Sequence, residues 1–468
     1  MQKQLDASSG SGQSRWPTLF KEWILTLAAR LTSDVRARTL YDHAPMLARF
    51  GYNLEARDLA LEIDGELRQF CLLRIGREAL LSSGSEAQRR EVIAALEGHM
   101  PALSASSRGS YREEFACLLM DMGQGDQAAA QISQISSLEV QAALYCRLVG
   151  IVDPPNGPKY LEKAIGCATR VLDDEDRECS LVLTAKAAAQ IGRIAEVKQL
   201  LGQAPPTENR RKDEADVALI LAESGHTELA ETEILALNDR VSTIQSRSTL
   251  DAVHCQLVLA ETVCQLFESA EKRIKLISVP VPGLRIRIEQ ASVCTARGWR
   301  ERARDAVVRV HQAVIDAADD PALVALVRVA EQLDLHEVVR LALLAEGGSM
   351  WARNRIPLIL DLALRGHRLG AHSEAIIDME LASTAAASIT EDYDRAFRLQ
   401  EVAAAYLELG EWSLARRILQ TVTLSAVASD AGFRIVITVG IFQAYAKANR
   451  APTEQELDWL KQNLVVGE

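Results

Sequence analysis

The chain has 468 residues, of which 48% are hydrophobic and 25% charged, and its formal net charge is −12. This composition is typical of a folded protein and argues against wholesale disorder, while the negative charge argues against non-specific wrapping of nucleic acid. Aromatic residues make up only 5% of the chain, so helices packed through alanine and leucine are favoured over strands.

The chain begins with two different segments. Residues 1–15 are rich in serine, glycine and glutamine, and we expect a disordered tail there. This tail lacks the apolar stretch of a secretory signal, which favours a cytoplasmic location; export through a specialised secretion system is the minor alternative. Residues 16–34 predict an N-terminal capping helix. Its buried face would carry Trp16, Phe20, Trp23 and Leu27.

A turn residue followed five positions later by a small residue recurs along the rest of the chain. The best matches are Gly51/Ala56, Gly123/Ala128, Gly225/Ala230, Gly298/Ala303, Gly366/Ala371 and Gly410/Ala415. Weaker matches are Gly192/Val197 and Asp334/Val339, and looser anchors are Gly84, Gly157, Gln265 and Asn449. These anchors lie 32 to 44 residues apart, with a mean of about 36.

Each anchor is expected to end one helix of a hairpin and to begin the turn to the next helix. Before Gly410, apolar residues recur at helical spacing, as at Val402 and Tyr406. Glycine can end such a helix in the left-handed conformation, and a small residue such as Ala415 lets the second helix pack closely. A single hairpin cannot bury both of its faces, so neighbouring hairpins must stack against it.

The repeats predict an all-α solenoid of about 11–12 helix-turn-helix units over residues 35–450. Residues 451–468 would form a C-terminal capping helix. Loops between repeats are expected where proline and glycine cluster, at residues 101–110, 153–158, 203–214, 279–283 and 345–349.

The copy "AYLELGEWSLARRIL" resembles the tetratricopeptide repeat, with family-like residues at Tyr406, Gly410, Trp412, Ala415 and Leu419. Secondary copies are "CTARGWRERARDAV", "ILAESGHTELAETEIL" and "MLARFGYNLEARDLAL". Repeats of the family are about 34 residues long, so the more variable spacing here is similar to the degenerate bacterial form. This resemblance implies a right-handed superhelix whose first helices line a concave groove, and a role in protein–protein interaction.

The sequence carries no common catalytic or nucleotide-binding motif, such as a P-loop or a nucleophile elbow. The eight cysteines include no C-x-x-C pair and are expected to be buried free thiols. His254 and Cys255 are adjacent on a helix and point in different directions, which predicts packed side chains. His367 and His372 are the closest pair of histidines in the sequence, but no metal site is expected there, and the acidic run at 173–176 suits a first helical turn. We therefore expect no catalytic residue, metal site or cofactor.

Charge is unevenly distributed near the middle of the chain. Residues 205–271 hold 13 acidic and 5 basic residues, whereas residues 272–309 hold 10 basic and 3 acidic ones. Consecutive segments of a solenoid lie side by side, so an acidic band would neighbour a basic band. Two interpretations remain open: the bands neutralise one another, or the basic band is a docking site for an acidic protein segment or for phosphate groups.

Tryptophans flanked by arginines lie within and beyond the basic band, and these two residue types dominate interaction hot spots. The candidate partner-binding residues are Arg285, Arg287, Arg297, Trp299, Arg300, Arg328, Trp351 and Arg353. Groove-lining positions are also expected 13 residues before each anchor, at positions that include Arg38, Lys212, Arg285, Arg353 and Phe397.

The sequence favours a non-catalytic scaffold or adaptor that binds a partner protein through the solenoid surface. A sensor or regulatory subunit of a larger bacterial signalling, stress or defence assembly is the first alternative, and its partner binding would depend on a ligand. An enzyme on an all-helical scaffold is the second alternative, which the 5% aromatic content disfavours. Membrane association is not expected, and nucleic-acid binding would require an exposed basic band.

Overall fold

The computed structural model describes residues 16–82, 86–153, 155–204, 209–278, 280–345, 349–425 and 430–466. In these ranges the chain has 25 α-helices, one 3₁₀ turn and one π-helical turn, and it has no strand. The prediction of an all-α fold is therefore confirmed. The predicted tail at residues 1–15 and the loose anchor Gly84 lie outside the described ranges.

The helices form two compact units: unit 1 comprises residues 1–108 and 349–468, and unit 2 comprises residues 109–348. Unit 1 begins with α1 (Trp16–Ala28), α2 (Ser33–Ala48), α3 (Asn53–Leu61), α4 (Leu67–Ser82), α5 (Glu86–His99) and the 3₁₀ turn Met100–Ala102. The next helix, α6 (Ala105–Asp121), starts just before the boundary. Unit 2 continues with α7 (Gly125–Ile132), α8 (Leu138–Ile151), α9 (Gly157–Ala168), α10 (Asp174–Gln190), α11 (Ile194–Gln203), α12 (Asn209–Glu223) and α13 (Thr227–Val241).

The remaining helices of unit 2 are α14 (Arg247–Val263), α15 (Phe267–Ile274), α16 (Pro280–Ala296), α17 (Arg300–Ala317), α18 (Asp320–Gln332) and α19 (His336–Leu344). The C-terminal part of unit 1 contains α20 (Ser349–Arg368), α21 (His372–Ala387), α22 (Asp392–Glu408), α23 (Trp412–Thr423), α24 (Ala431–Lys447), α25 (Glu454–Leu460) and the π-helical turn Lys461–Val466. Contacts within each unit join the two helices of a hairpin and the helices of adjacent hairpins, as expected for stacked repeats.

The hairpin turn at Gly410 shows why the five-residue spacing recurs. Gly410 has a φ of +82°, and the N–H of Glu411 donates to the carbonyl of Tyr406 at 2.9 Å. With the bond from the Gly410 N–H to the Leu407 carbonyl, this is a Schellman motif that ends α22. The carbonyl of Glu411 then accepts from the N–H of Ala415 at 3.0 Å. This bond fixes Ala415 in the first turn of α23, where it is fully buried.

Nine predicted anchors have the left-handed conformation that this turn requires. They are Gly51, Gly123, Gly192, Gly225, Gln265, Gly298, Asp334, Gly410 and Asn449. The two hydrogen bonds that end the first helix recur at each of them. Five positions after eight of these anchors stands a buried alanine or valine, whereas Glu454, five positions after Asn449, is exposed. The turn rule predicted from the sequence therefore holds at eight anchors, in both units.

Two predicted anchors are wrong. Gly366 lies inside α20, and the left-handed residue of this hairpin is Gly370, with a φ of +92°. Ala375, five positions after Gly370, is buried, so the regular spacing holds from the later glycine. Gly157 is the first residue of α9. A Cβ at this position would lie 3.3 Å from Cγ2 of Ile191, so glycine lets α9 begin close to the end of α10.

The first helix and the last described segment pack together in unit 1. The ring centroids of Trp16 in α1 and Phe442 in α24 lie 5.0 Å apart, and the π-helical turn contacts α1 and α24. The predicted buried face of α1 is confirmed, because its four members are at most 8% exposed: Trp16, Phe20, Trp23 and Leu27. Contacts between first helices follow the order α20, α22, α24, α2 and α4, so the stack passes from the C-terminal to the N-terminal part of the chain.

Several boundaries differ from the sequence predictions. The predicted helix at 16–34 is two elements, because α1 ends at Ala28 and α2 begins at Ser33. The segment 451–468 contains α25 and the π-helical turn. Helix α16 begins at Pro280, inside a predicted loop. Proline is tolerated in a first helical turn because no intrahelical partner is needed for its missing N–H, so this proline marks a helix start.

Candidate partner-binding groove

The predicted basic band contributes to an open groove in unit 2, between α15, α16 and α17. The groove has a volume of about 710 Å³, and its lining includes two aromatic residues, Phe267 and Trp299. Four arginines also line it: Arg287, Arg300, Arg302 and Arg309. Three acids complete its charged lining: Glu271, Glu301 and Asp305. The structure thus brings together three of the predicted partner-binding residues, namely Arg287, Trp299 and Arg300.

The hairpin turn at Gly298 positions the aromatic residues of the groove. Gly298 has a φ of +78°, and the next residue, Trp299, is the N-cap residue of α17. The rings of Trp299 and Phe267 meet edge to face, with their centroids 5.5 Å apart. The guanidinium carbon of Arg302 lies 3.6 Å from the centroid of the Phe267 ring, within the range of a cation–π contact. Both rings are half-buried, so each retains a surface that a ligand could contact.

Two of the groove's arginines are paired with carboxylates of the same unit. Nη1 of Arg287 lies 3.0 Å from Oε2 of Glu271. Nη2 of Arg300 lies 2.9 Å from Oδ2 of Asp334, and its Nη1 donates to the carbonyl of Gln332 at 3.0 Å. These ion pairs support the interpretation that charges of neighbouring helices neutralise one another. The remaining positive charge of the groove lies on Arg302 and Arg309.

Arg309 provides an exposed positive charge at the groove. It has no hydrogen-bond or ionic partner among the described residues. Arg328 on α18 is likewise exposed and has no partner in the described part of the chain. However, Arg328 does not line the groove. Arg309 and Arg328 are therefore both exposed and unpaired among the described residues, and they differ in that only Arg309 lines the groove.

Arg285 and Arg297 were also predicted to bind a partner, and both have intramolecular contacts away from the groove lining. Nε and Nη2 of Arg285 donate to Asp319 at 2.7 and 2.5 Å. Asp319 in turn accepts from the N–H of Ala322 at the start of α18, and the Arg285 hydrogen bond lowers the pKa of this carboxyl. Nη2 of Arg297 donates to the carbonyl of Glu223 at 3.2 Å. Arg285 therefore connects α16 to the cap of α18.

The last two predicted residues belong to unit 1. Nη2 of Arg353 lies 2.6 Å from Oε2 of Glu391 and 2.7 Å from Oδ2 of Asp394. The side chain of Trp351 lies outside the described residues. The eight predicted residues are thus divided between the two units, and three of them line the unit 2 groove.

A buried ion pair lies where the acidic and basic bands meet. Nε and Nη2 of Arg273 donate to the two carboxylate oxygens of Glu261, at 3.1 and 2.6 Å. Nη2 also donates to Oδ1 of Asn238 at 2.7 Å, and Nη1 contacts Nδ1 of His254 at 3.3 Å. Arg273 is 7% exposed and Glu261 is fully buried, so this part of the two bands neutralises itself in the core.

His254 is a buried, hydrogen-bonded side chain, as the sequence predicts. Burial, followed by the adjacent Arg273 guanidinium, lowers the pKa of His254 to about 4. Burial also raises the pKa of the Cys255 thiol to about 11. All eight cysteines are free thiols. The prediction that all are buried is wrong for Cys179, which is exposed, and for Cys117 and Cys255, which are half-buried.

Unit 1 has a second groove, between the first helices α2, α20, α22 and α24. Its volume is about 420 Å³, and its apolar lining includes Leu360, Phe397 and Val436. Phe397 belongs to the column of positions predicted 13 residues before the anchors. Nζ of Lys447 donates to Oε1 of Glu408 at 3.2 Å, and burial raises the pKa of the Glu408 carboxyl.

The histidine pair and the acidic run considered in the sequence make structural contacts. Nδ1 of His367 lies 2.9 Å from Nδ1 of His372, and Nε2 of His372 lies 3.1 Å from Oε1 of Glu411. Within the described ranges, no group of three or more His, Cys, Asp or Glu side chains is placed to hold a metal ion. The acidic run at 173–176 begins α10, with Asp173 accepting from two N–H groups of the first turn, as predicted. No helix in the described part of the chain combines the length and apolarity needed to cross a bilayer.

Sequence reasoning did not single out Phe267, Arg302 or Arg309. A signal was present for Phe267, because it follows the turn residue Gln265 by two positions, as Trp412 follows Gly410. Arg302 and Arg309 differ by seven positions and therefore share a face of α17. Their role depends on which face meets α15, and this is a property of the packed hairpins.

No protein-family model and no curated protein matches the sequence. Three solved structures resemble the chain. For the crystal structure of Ton1535 from Thermococcus onnurineus NA1, the identity is 12%, the coverage is 71% of this chain and 99% of that chain, and the TM-score is 0.31. For the Rap protein complexed with competence and sporulation factor, the corresponding values are 12%, 86%, 99% and 0.25. For a circular tandem repeat protein with novel repeat topology they are 15%, 96%, 94% and 0.15. At such low TM-scores, these likenesses add nothing to the architecture that the helices themselves establish.

Proposed function

We propose that the protein is a non-catalytic interaction scaffold that binds a short acidic segment of a partner protein in the groove between α15, α16 and α17. The observation that carries this proposal is the convergence of Trp299, Phe267, Arg302 and Arg309 on one concave surface. Aromatic and arginine side chains of this kind supply most of the binding energy in protein interfaces. The rings would bury an apolar side chain of the segment.

The acidic character of the segment follows from the groove's arginines. Arg287 and Arg300 already have carboxylate partners. Arg302 packs on Phe267, and Arg309 has no partner among the described residues, so these two guanidinium groups can donate to carboxylates of a ligand. Asp305 shares their face of α17 and lines the same groove. It opposes an incoming carboxylate, which makes its removal informative.

The experiment uses a partner segment identified by cross-linking to the full chain and then prepared as a peptide. Arg309→Glu should weaken its binding at least tenfold, as expected when a hot-spot contact becomes a like-charge repulsion. Asp305→Asn should strengthen binding. Arg328→Glu is the matched control, because Arg328 is equally exposed and unpaired but lies off the groove; it should leave the affinity unchanged.

Helicity and melting temperature would be recorded for each variant, and we expect them to match the wild type because both arginines are exposed. The proposal fails if Arg309→Glu binds the segment as tightly as the wild type. Equal losses in Arg309→Glu and Arg328→Glu would show that general charge, and not this groove, attracts the partner.

A further inference from the structure

A second concavity in unit 2 has a charge distribution unlike that of the groove. It lies where α13, α14 and α15 meet, and its volume is about 710 Å³. It uses a different face of α15, since Lys272 and Arg273 line it whereas Phe267 and Glu271 line the groove. The two sites are therefore separated by the body of one helix.

Among the described residues, no acidic side chain lines this concavity, although four basic ones do: Arg247, Lys272, Arg273 and Lys275. Two of these cations are paired with carboxylates that do not line the concavity. Arg273 pairs with Glu261, and Nε of Arg247 lies 3.6 Å from Oδ1 of Asp251. Lys272 and Lys275 are exposed and have no ionic or hydrogen-bond partner among the described side chains. The ammonium groups of Lys272 and Lys275 are thus two positive charges with no counter-ion among the described side chains.

Hydrogen bonds from Arg273 determine which atoms of two neutral wall side chains, Asn238 and His254, can donate to a ligand. The guanidinium of Arg273 donates to Oδ1 of Asn238 at 2.7 Å, so the amide NH₂ of Asn238 can donate to another group. It also donates to Nδ1 of His254 at 3.3 Å, so a neutral His254 carries its proton on Nε2. The hydroxyl of Ser242 adds a further donor to the lining. Arg273 therefore bonds to the acceptor atoms of Asn238 on α13 and His254 on α14, and the remaining polar atoms of these two side chains are donors.

The helix dipole is a competing explanation for the basic residues. Lys272 and Arg273 lie in the last turn of α15, and Lys275 is its C-cap residue, where positive charge is favourable. This effect accounts for the presence of the lysines but not for the composition of the facing wall. Most of the lining comes from residues 205–271, which carry 13 acids, yet none of the acids that the structure describes in this segment lines the concavity.

We propose that this concavity binds a phosphate group, carried either by a small phosphorylated molecule or by a phosphorylated side chain of a protein segment. Two ammonium groups supply the charge, and donors from α13 and α14 supply directed hydrogen bonds to phosphate oxygens. A tetrahedral dianion accepts from several directions at once, which matches donors that converge from three helices. The site is independent of the acidic-segment groove.

The binding of inorganic phosphate and of a phosphoserine peptide to the full chain would be measured by titration calorimetry at constant ionic strength. We expect the wild type to bind at least one probe at millimolar or lower concentration. Similar affinities for the two probes would indicate a small phosphorylated ligand, whereas at least tenfold tighter peptide binding would indicate a modified protein segment. Failure of both probes to bind the wild type would overturn the proposal.

Two variants test the site without removing its buried support. Lys272→Ala/Lys275→Ala should weaken phosphate binding at least tenfold. Asn238→Asp keeps an oxygen for Arg273 but places a carboxylate in the wall, so it should abolish binding while the chain stays folded. Arg170→Ala is the control, because Arg170 is exposed near the end of α9 and has no partner among the described side chains.

The variants also separate this site from the proposed scaffold groove. Arg309→Glu should leave phosphate binding unchanged even if it abolishes binding of the acidic segment. Wild-type phosphate affinity in both Lys272→Ala/Lys275→Ala and Asn238→Asp would refute the assignment. A loss in the Arg170→Ala control equal to that in the lysine variant would refute it as well, since it would show attraction by surface charge alone.

Discussion

At the scale of single residues, Arg273 connects three helices through hydrogen bonds, and two of its partners, Glu261 and His254, are buried. Its partners lie on α13 and α14, while Arg273 itself lies on α15. Removing one charge of such a pair leaves the other buried without compensation. We expect Glu261→Gln to lower the free energy of unfolding by about 3–5 kcal/mol, measured by urea denaturation. Glu268→Gln, which alters an exposed acid of α15, should change it by less than about 0.5 kcal/mol.

The same cluster predicts a pH dependence of stability. His254 has a pKa lowered from 6.5 to about 4 by burial and by Arg273, so the unfolded chain binds its proton more readily than the folded chain does. The stability that neutral His254 confers is complete above pH 6.5 and is lost as the pH falls towards 4. His254→Gln retains an acceptor for Arg273 and should therefore show a shallower loss of unfolding free energy over this range. Equal slopes for the variant and the wild type would contradict the assignment.

At the scale of elements, the hairpin between α20 and α21 offers a direct test of where a helix ends. Gly370 has a φ of +92°, where alanine costs about 1–2 kcal/mol. Gly366 lies within α20, and a Cβ added there would meet no atom within 4 Å. Gly370→Ala should therefore destabilise the protein, whereas Gly366→Ala should stabilise it by up to about 1 kcal/mol. Thermal unfolding of the two variants measures both effects, and the reverse order would restore Gly366 as the turn residue.

The all-α fold and most hairpin turns could be predicted from the sequence because each turn needs a left-handed residue and a buried small residue. The same rule allowed two solutions near Gly366, since Gly366/Ala371 and Gly370/Ala375 both satisfy it. The choice depends on burial: Ala375 is buried, whereas Ala371 is only half-buried. Composition alone also suggested loops where prolines begin helices, as at Pro280.

The candidate site was predicted less completely, because counting charges by segment does not show which side chains face one another. Arg285 and Asp319 are 34 residues apart, and so are Arg300 and Asp334, so these ion pairs span about one repeat. The repeat length could have identified the pairs before the structure. The faces of α15 and α17 that bring Arg302 onto Phe267 follow from helix packing, which no local pattern in the sequence specifies.

At the scale of the whole chain, unit 1 is assembled from segments that are distant in sequence. Helix α1 packs on α24, and α24 contacts α2, so the N-terminal hairpins complete a stack begun by the C-terminal ones. A repeat unit is stabilised mainly by its nearest neighbours. Loss of α1 from this stack would therefore expose both the N-terminal and the C-terminal segments, and the two should lose structure together.

Phe20→Ala tests this coupling. Phe20 is fully buried, and its ring centroid lies 5.8 Å from that of Phe442 in α24, so truncation should cost about 3–5 kcal/mol. Hydrogen exchange followed by mass spectrometry should show faster exchange in α1, α2 and α24 together. Phe115→Ala, which truncates an equally buried ring in unit 2, should first affect α6 and its neighbours. If Phe20→Ala accelerates exchange only in residues 16–28, α1 contributes little to the stack, and its contact with α24 does not couple the N-terminal helices to the C-terminal ones.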